Sequence, residues 1–180
     1  MRYFLLGLAL LAFGWVRPSA AAMAITGNYL SDDQYSGGYA IGLGVYGLRP
    51  HGLSYYGNSD FSTHDNKYQY DSLNPSSFGD AIIARKHDLV LVNFGVTYTL
   101  TPFTAFYGGV GFASEQGYDA KFDPTYTLSP DGTYYVNDNA RDRSGGNANV
   151  GVLLFLEHFT LEFGYQSFMQ KTYIGAGWRF

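Results

Sequence analysis

Four histidines are the first residues of this chain that could make an enzyme or a metal site. His64 stands beside Asp65 and His87 beside Asp88, the residue types that orient an imidazole for general-base work. Adjacent side chains of an extended chain point to opposite faces, so neither pair is an orienting pair by sequence alone. His51 and His158 fall in short turn segments, and no nucleophile and base come together around any of the four; no catalytic residue is assigned. Asp131-Gly132 and Asp138-Asn139 have the acidity of calcium loops without the alternating oxygen ligands or the distal Glu, and read as a turn and a solvated loop. The chain has no cysteine, which removes disulfides and thiolate metal sites. Its scattered glycines open no helix, so they cradle no phosphate; they are read as space for inward-pointing tyrosines. Neither a metal nor a cofactor is implied.

Glu162 and Arg179 have a place that only the strands carrying them can define. The chain ends in KTYIGAGWRF, where alternation puts Ile174, Ala176, Trp178 and Phe180 on one face and Tyr173, Gly175, Gly177 and Arg179 on the other. The same parity in FTLEFGYQSF puts Phe159, Leu161, Phe163 and Tyr165 outward, and Thr160, Glu162, Gly164 and Gln166 inward. A turn at Gln170-Lys171 would set Phe163 beside Trp178, Leu161 beside Phe180, and Glu162 beside Arg179 on the inside. These two are the only Lys, Arg, Asp or Glu read as lying well inside such a structure. An interior ion pair neutralises two charges that would each be costly alone; a pore gate or solute site is the functional alternative.

Before any fold, a leader has to be set aside. Residues 1–24 have a positive charge at Arg2, an apolar stretch from Tyr3 to Val16 and a small-residue ending, the layout of a secretory signal peptide. The apolar run stops at Arg17-Pro18, short of the roughly 20 residues a spanning helix needs. Cleavage is expected after Ala24, with Ala22 as the alternative. The mature chain, 25–180, is one domain with nine Lys and Arg against fifteen Asp and Glu, a formal net charge of −6. That balance argues against a nucleic-acid partner.

The mature chain divides into eight strands. After one near Ile25–Ser31, YAIGLGVYGL places Tyr39, Ile41, Leu43 and Val45 on one face, with Arg49-Pro50-His51 as a tight turn. Centring that hairpin on Pro50 pairs Val45 with Tyr55 and Tyr39 with Phe61, on a strand spanning 52–62. LVLVNFGVTYTL (89–100) and FTAFYGGVGFAS (103–114) follow, with Tyr98 meeting Phe106. NANVGVLLFL (147–156) turns at Glu157-His158 into the last hairpin. Long polar connections at about 63–87 and 115–144 separate these hairpins; TYTL-SPDG-TYYV inside the second reads as a hairpin of its own. KYQYD and AIIARKHD in the first read as a strand pair protruding beyond the rest.

Short turns on one side, long loops on the other and an even strand count fit a closed barrel that crosses a membrane, where an open edge has no water to satisfy it. The fold class is all-β, an eight-stranded antiparallel up-and-down transmembrane β-barrel. Tyr98, Phe106, Phe163, Trp178 and Phe180 would form the lower aromatic girdle, and Tyr39, Phe61 and Phe112 the upper one. Asn93, Thr97, Tyr46, Tyr56, Tyr107, Asn147 and Asn149 would fill the interior.

Gly175, Trp178 and Phe180 resemble the C-terminal recognition signal of bacterial outer-membrane β-barrels, and the mature chain is similar to the small eight-stranded barrels of the OmpX and OmpA transmembrane-domain class. The resemblance implies an outer-membrane location with both termini periplasmic, delivery by the barrel-assembly machinery, and contact with outer-membrane lipids and lipopolysaccharide. The leading functional expectation is a non-enzymatic, monomeric surface barrel whose loops meet an external protein or neighbouring cells. Alternatives are a narrow solute channel, a soluble periplasmic lipocalin-like binder, and a lipid A-modifying enzyme. Barrels of the last kind use a Ser and His on a lipid-facing strand, and no His-x-Ser falls on an outward face here.

Overall fold

The computed structural model describes residues 22–32, 38–63, 67–70 and 80–180. The leader up to Ala21, with His64 and Asp65, lies outside them. The strands are β1 (Ala22–Asp32), β2 (Gly38–Leu48), β3 (Leu53–Ser62), β4 (Gln69–Tyr70), β5 (Ile82–Thr101), β6 (Thr104–Phe122), β7 (Thr133–Asn137), β8 (Arg143–Leu156), β9 (Phe159–Gln166) and β10 (Lys171–Arg179).

Eight of them close a ring. β1 pairs with β2, β2 with β3, β3 with β5, β5 with β6, β6 with β8, β8 with β9 and β9 with β10, all antiparallel, and β10 returns to β1 with Ile25 opposite Trp178. One row of partners leaves β5 at Tyr98, passes Phe106, Val152, Phe163, Ile174, Tyr29, Ile41 and Phe61, and re-enters β5 at Val90, eight residues higher. A shear of eight on eight strands tilts each strand about 36° and leaves an interior that side chains fill.

Alternation decides which side chains fill it. Tyr46, Tyr56, Asn93, Thr97, Tyr107, Asn147, Asn149 and Glu162 are all buried, while Leu43, Phe94, Val110, Phe112, Val150 and Trp178 are more than half exposed. Among the described residues no second sheet covers that outward face, the inversion a barrel shows when its solvent is lipid. A soluble binder would have had to hide it. Several inward glycines make room for the tyrosines: a Cβ on Gly151 would collide with the Tyr107 ring, and one on Gly164 with Tyr173.

The turns correct two expected registers. Between β2 and β3 the chain uses Arg49 to Gly52, closed by the Gly52 N–H on the Arg49 carbonyl at 3.0 Å, with His51 at φ 48°. Val45 therefore faces Gly57 and Ile41 faces Phe61. The pairing is displaced by two residues, so every side chain keeps its face. Between β9 and β10 the turn lies at Ser167–Gln170, earlier than Gln170-Lys171. β8 holds it there: the Ser167 N–H bonds to the Ala148 carbonyl and the Phe168 N–H to Asn147 Oδ1, while Met169 is buried. Phe163 then faces Ile174, and Phe159 faces Trp178.

The long connections are more structured than expected, and differently paired. AIIARKHD does not pair with KYQYD: residues 82–88 extend β5 and pair with β6, while Gln69–Tyr70 pairs parallel with β7. TYTL does not pair with TYYV. β7 lies against β6, from Phe122 opposite Thr133 to Tyr118 opposite Asn137, and residues 125–128 wrap round Asp123 instead. The result is a sheet that continues β5 and β6 beyond the barrel mouth. Phe122 stands ten residues above Phe112, about 33 Å of strand.

Candidate functional site

Two clusters of polar side chains are built by this fold, one inside the barrel and one in the protruding sheet. Inside, β9 carries Glu162 to the axis, where it is fully buried. Its Oε1 accepts from the hydroxyls of Tyr46 and of Tyr107, the latter at 2.7 Å, and its Oε2 accepts from Thr26 at 2.5 Å. Tyr173 lies 2.6 Å from Tyr107, hydroxyl to hydroxyl, and Asn58 Nδ2 donates to Tyr173 at 3.3 Å. Above this layer the amides continue: Asn93 donates to Asn58 and Gln166, Asn147 donates to Asn93 and Gln166, and Gln166 donates to Asp60 at 2.5 Å. The rings of Tyr46, Tyr56 and Tyr107 pack with centroids 5.0 to 5.3 Å apart. Leu48, Leu153 and Phe155 close the interior towards the short turns, and Leu30, Leu89 and Leu91 are buried on the side of the protruding sheet.

Glu162 and Arg179 are not brought together. Glu162 faces Gly175, four residues along β10 from Arg179, because the last hairpin turns at 167–170, earlier than Gln170-Lys171. Arg179 lies at the short-turn mouth, its guanidinium 4.7 Å over the Phe155 ring and donating to the Pro102 carbonyl at 2.8 Å. Asp60 is a second interior acid, 1 % exposed. Inward parity on β3, shared with Tyr56 and Asn58, is the signal that would have found it.

The other predicted positions fall where their strands take them. Tyr98, Phe106, Trp178 and Phe180 are exposed near the short turns, and Tyr39, Phe61 and Phe112 are exposed towards the long connections; Phe163 is exposed half-way along β9, opposite Ile174. Gly175 lies over Asn28 and Glu162, where a Cβ would meet both side chains. Among the histidines, His158 stacks on Trp178 at 6.1 Å, His51 is exposed in its turn, and His87 is buried on β5. Among the described residues no group of three or more His, Cys, Asp or Glu is arranged to hold a metal ion.

In the protruding sheet the acids do have cations. Arg143 on β8 pairs with the buried Glu115 of β6, and Arg141 bridges Asp119 and Asp138, the latter at 2.6 Å. The Arg143 guanidinium also lies 4.7 Å over Phe168. At the tip, one carboxylate organises a whole turn. Asp123 accepts from the N–H of Thr125, Thr127 and Leu128 and from both threonine hydroxyls, at 2.5 to 2.9 Å. The Thr125 hydroxyl first, then the N–H groups of Leu128 and Thr125, hold this carboxyl well below the usual carboxylate range. Asp131 is lowered by the Ser129 hydroxyl and the Thr133 N–H, and burial followed by its hydrogen bond to Asp80 raises Tyr134. The tip turn leaves Tyr126 exposed at φ 56°, edge-on to Phe122. Of these groups only Asp131 and Asp138 were singled out from sequence, as a turn and a solvated loop; Glu115 and Asp119 share the inward parity of β6, and that alone could have marked them.

No family model matches the chain, and no curated protein matches it. Among solved structures, the crystal structure of Ail, the attachment invasion locus protein of Yersinia pestis, in complex with the heparin analogue sucrose octasulfate, superposes with a TM-score of 0.49 at 12 % identity, over 89 % of this chain and 96 % of that one. The Y. pestis outer membrane protein Ail in a phospholipid bilayer nanodisc gives 0.49 at 15 %, over 89 % and 99 %. A de novo designed transmembrane β-barrel gives 0.43 at 12 %, over 91 % and 97 %. The fold itself is fixed by the strand pairing: the chain is a small eight-stranded antiparallel barrel of the outer-membrane type.

Proposed function

We propose that this chain is a monomeric, non-enzymatic protein of the bacterial outer membrane, with both termini periplasmic, whose protruding sheet binds a partner outside the cell. The observation that carries the reading is the sheet itself. β5 and β6 continue together beyond the barrel, β7 widens them, and Arg141, Arg143 and Asp123 fix their connections by ion pairs and hydrogen bonds. A surface ordered before contact loses little conformational entropy on binding. Its exposed Phe122 and Tyr126 are of the kind that anchor protein interfaces. The interior supports the same conclusion, since its tyrosines, amides and leucines fill the axis where a channel would need water. The outward apolar belt supports membrane insertion, and the C-terminal Gly175, Trp178 and Phe180 support delivery by the barrel-assembly machinery. The leader is proposed to be cleaved on export. Because Ala22 to Ala24 already pair with β2, cleavage after Ala22 retains two of these strand residues and cleavage after Ala24 none.

The test compares the full chain with one in which the connections 64–86 and 117–141 are replaced by short Gly/Ser linkers. Both should migrate as compact, heat-modifiable bands from the outer-membrane fraction. Bacteria displaying the full chain should adhere to cultured cells or immobilised extracellular proteins, and those displaying the trimmed barrel should not. Equal adhesion would remove the reading. Stepwise conductance in planar bilayers would replace it with a channel, and a changed lipid A mass on expression would replace it with an enzyme.

A further inference from the structure

At the short-turn mouth of the barrel is a cavity of about 220 Å³ lined by Leu48, Thr99, Pro102, Phe155, Arg179 and, until the leader is removed, Ala22. A cavity of this size holds several waters but not a whole lipid. Its surface is almost entirely carbon, and in the exported chain the walls come from β2, β5, β8, β10 and the short turns at Pro50 and Pro102. The polar residues among the lining are His51, Thr99, Thr101 and Arg179, and two of them bear on a ligand. Arg179 holds its guanidinium at the mouth, stacked over Phe155, and its hydrogen bond to the Pro102 carbonyl uses one of five N–H donors. Thr99 is 9 % exposed, and its hydroxyl is buried without a hydrogen-bond partner. A buried hydroxyl left unpaired costs free energy that a ligand group can recover.

We infer that this cavity is a binding site for a short apolar carboxylate. The apolar body lies against Leu48 and Phe155, and the carboxylate takes the Arg179 fork together with the Thr99 hydroxyl, which can donate to it. A carboxylate matches the planar spacing of a guanidinium, and a charge-assisted hydrogen bond of this kind is stronger than a neutral one. Two sources present this chemistry on the periplasmic side, a free short-chain acid and the carboxyl terminus of a peptide ending in an apolar residue. The site is independent of what the external sheet binds.

The test is an NMR titration of the exported chain in lipid nanodiscs with hexanoate, read on the methyl groups of Leu48 and Thr99 and on the Arg179 Nε–H. Saturable shifts are expected with hexanoate, and affinity about tenfold weaker with hexan-1-ol, which keeps the chain and lacks the charge. Thr99→Val, which keeps the shape, should weaken hexanoate severalfold, and Arg179→Gln should abolish saturation; Leu48→Trp, filling the cavity, should do the same without touching either polar group. N-acetyl-leucine binding as tightly as hexanoate assigns the peptide terminus, and hexanoate alone assigns the free acid. Equal affinity for hexanol, or unchanged titrations in Thr99→Val and Arg179→Gln, would overturn the site.

Discussion

The barrel interior and the protruding sheet both bury carboxylates, and they satisfy them by opposite means. Glu162 is surrounded by three hydroxyls and no Lys or Arg, whereas Glu115 and Asp119 each face a guanidinium. Where lipid surrounds the structure, a long cationic side chain has no water to retreat to, and short neutral donors on rigid strands are the cheaper partners. Above the membrane, the partly exposed Arg141 and Arg143 keep one side in solvent, and their pairs escape much of the desolvation cost that a fully buried pair carries. The difference makes the interior insensitive to salt and the sheet adjustable by it.

The largest effect should come from breaking the interior. Glu162→Ala removes the shared acceptor of the Thr26, Tyr46 and Tyr107 hydroxyls and leaves a cavity, a loss of roughly 3–5 kcal/mol. Glu162→Gln keeps an accepting oxygen and should lose clearly less. Urea unfolding in lipid vesicles, followed through Trp178, measures both; equal losses would mean that keeping the volume and one accepting oxygen recovers nothing, so that the stabilisation needs the whole carboxylate. Gly151→Val comes next. A side chain there meets Tyr107 and the backbone of the neighbouring strand, and overpacking of this kind costs about 1–3 kcal/mol. Combining it with Tyr107→Ala should restore part of the heat-modifiable band that the single variant loses.

These two sites also show what sequence could and could not reveal. Period-two alternation identified the inward faces of β8, β9 and β10, and so the burial of Glu162 and the need for Gly151 and Gly164, because parity is a local property of a strand. It could not place Glu162 against Arg179, since register depends on where a turn begins. That was decided by Asn147 and Ala148, on a third strand, gripping Ser167 and Phe168. The protruding sheet was harder still. The long connections contain strand-forming residues on several segments, and which pair is chosen depends on Asp123 capturing TYTL as a turn, a side-chain event that no periodicity reports. Asp60 was missed although its inward parity, shared with Tyr56 and Asn58, marked it.

In the sheet, Arg143→Ala should leave Glu115 buried without its partner. A fully buried pair broken this way costs several kcal/mol, but Arg143 is nearly half exposed, so the expected loss is about 1–2 kcal/mol and local. Hydrogen exchange should rise at residues 115–122 while the urea midpoint of the barrel stays unchanged. In the wild-type chain, raising salt should move exchange at 115–122 in the same direction and leave the amides around Glu162 unaffected. A barrel midpoint that fell with the sheet would show the two regions to be one cooperative unit, and the contrast between them would fail.

The smallest effect is expected at the tip, where acid should separate the regions. Asp123 is held below the ordinary carboxylate range in the folded turn, so the folded turn prefers the ionised form. Its contribution is complete above the unfolded value near pH 4 and is lost as pH falls from there towards the lower folded value. Proteolysis at Thr125–Leu128 should therefore accelerate only below about pH 4 in the native chain. Asp123→Asn keeps one accepting oxygen but loses the charge that several N–H groups share, so its turn should be cleaved faster at neutral pH, with little further change on acidification. If the native turn and the variant responded to acid alike, Asp123 would not be what holds the tip, and the order of this loop would have to come from the packing of Tyr126 on Phe122.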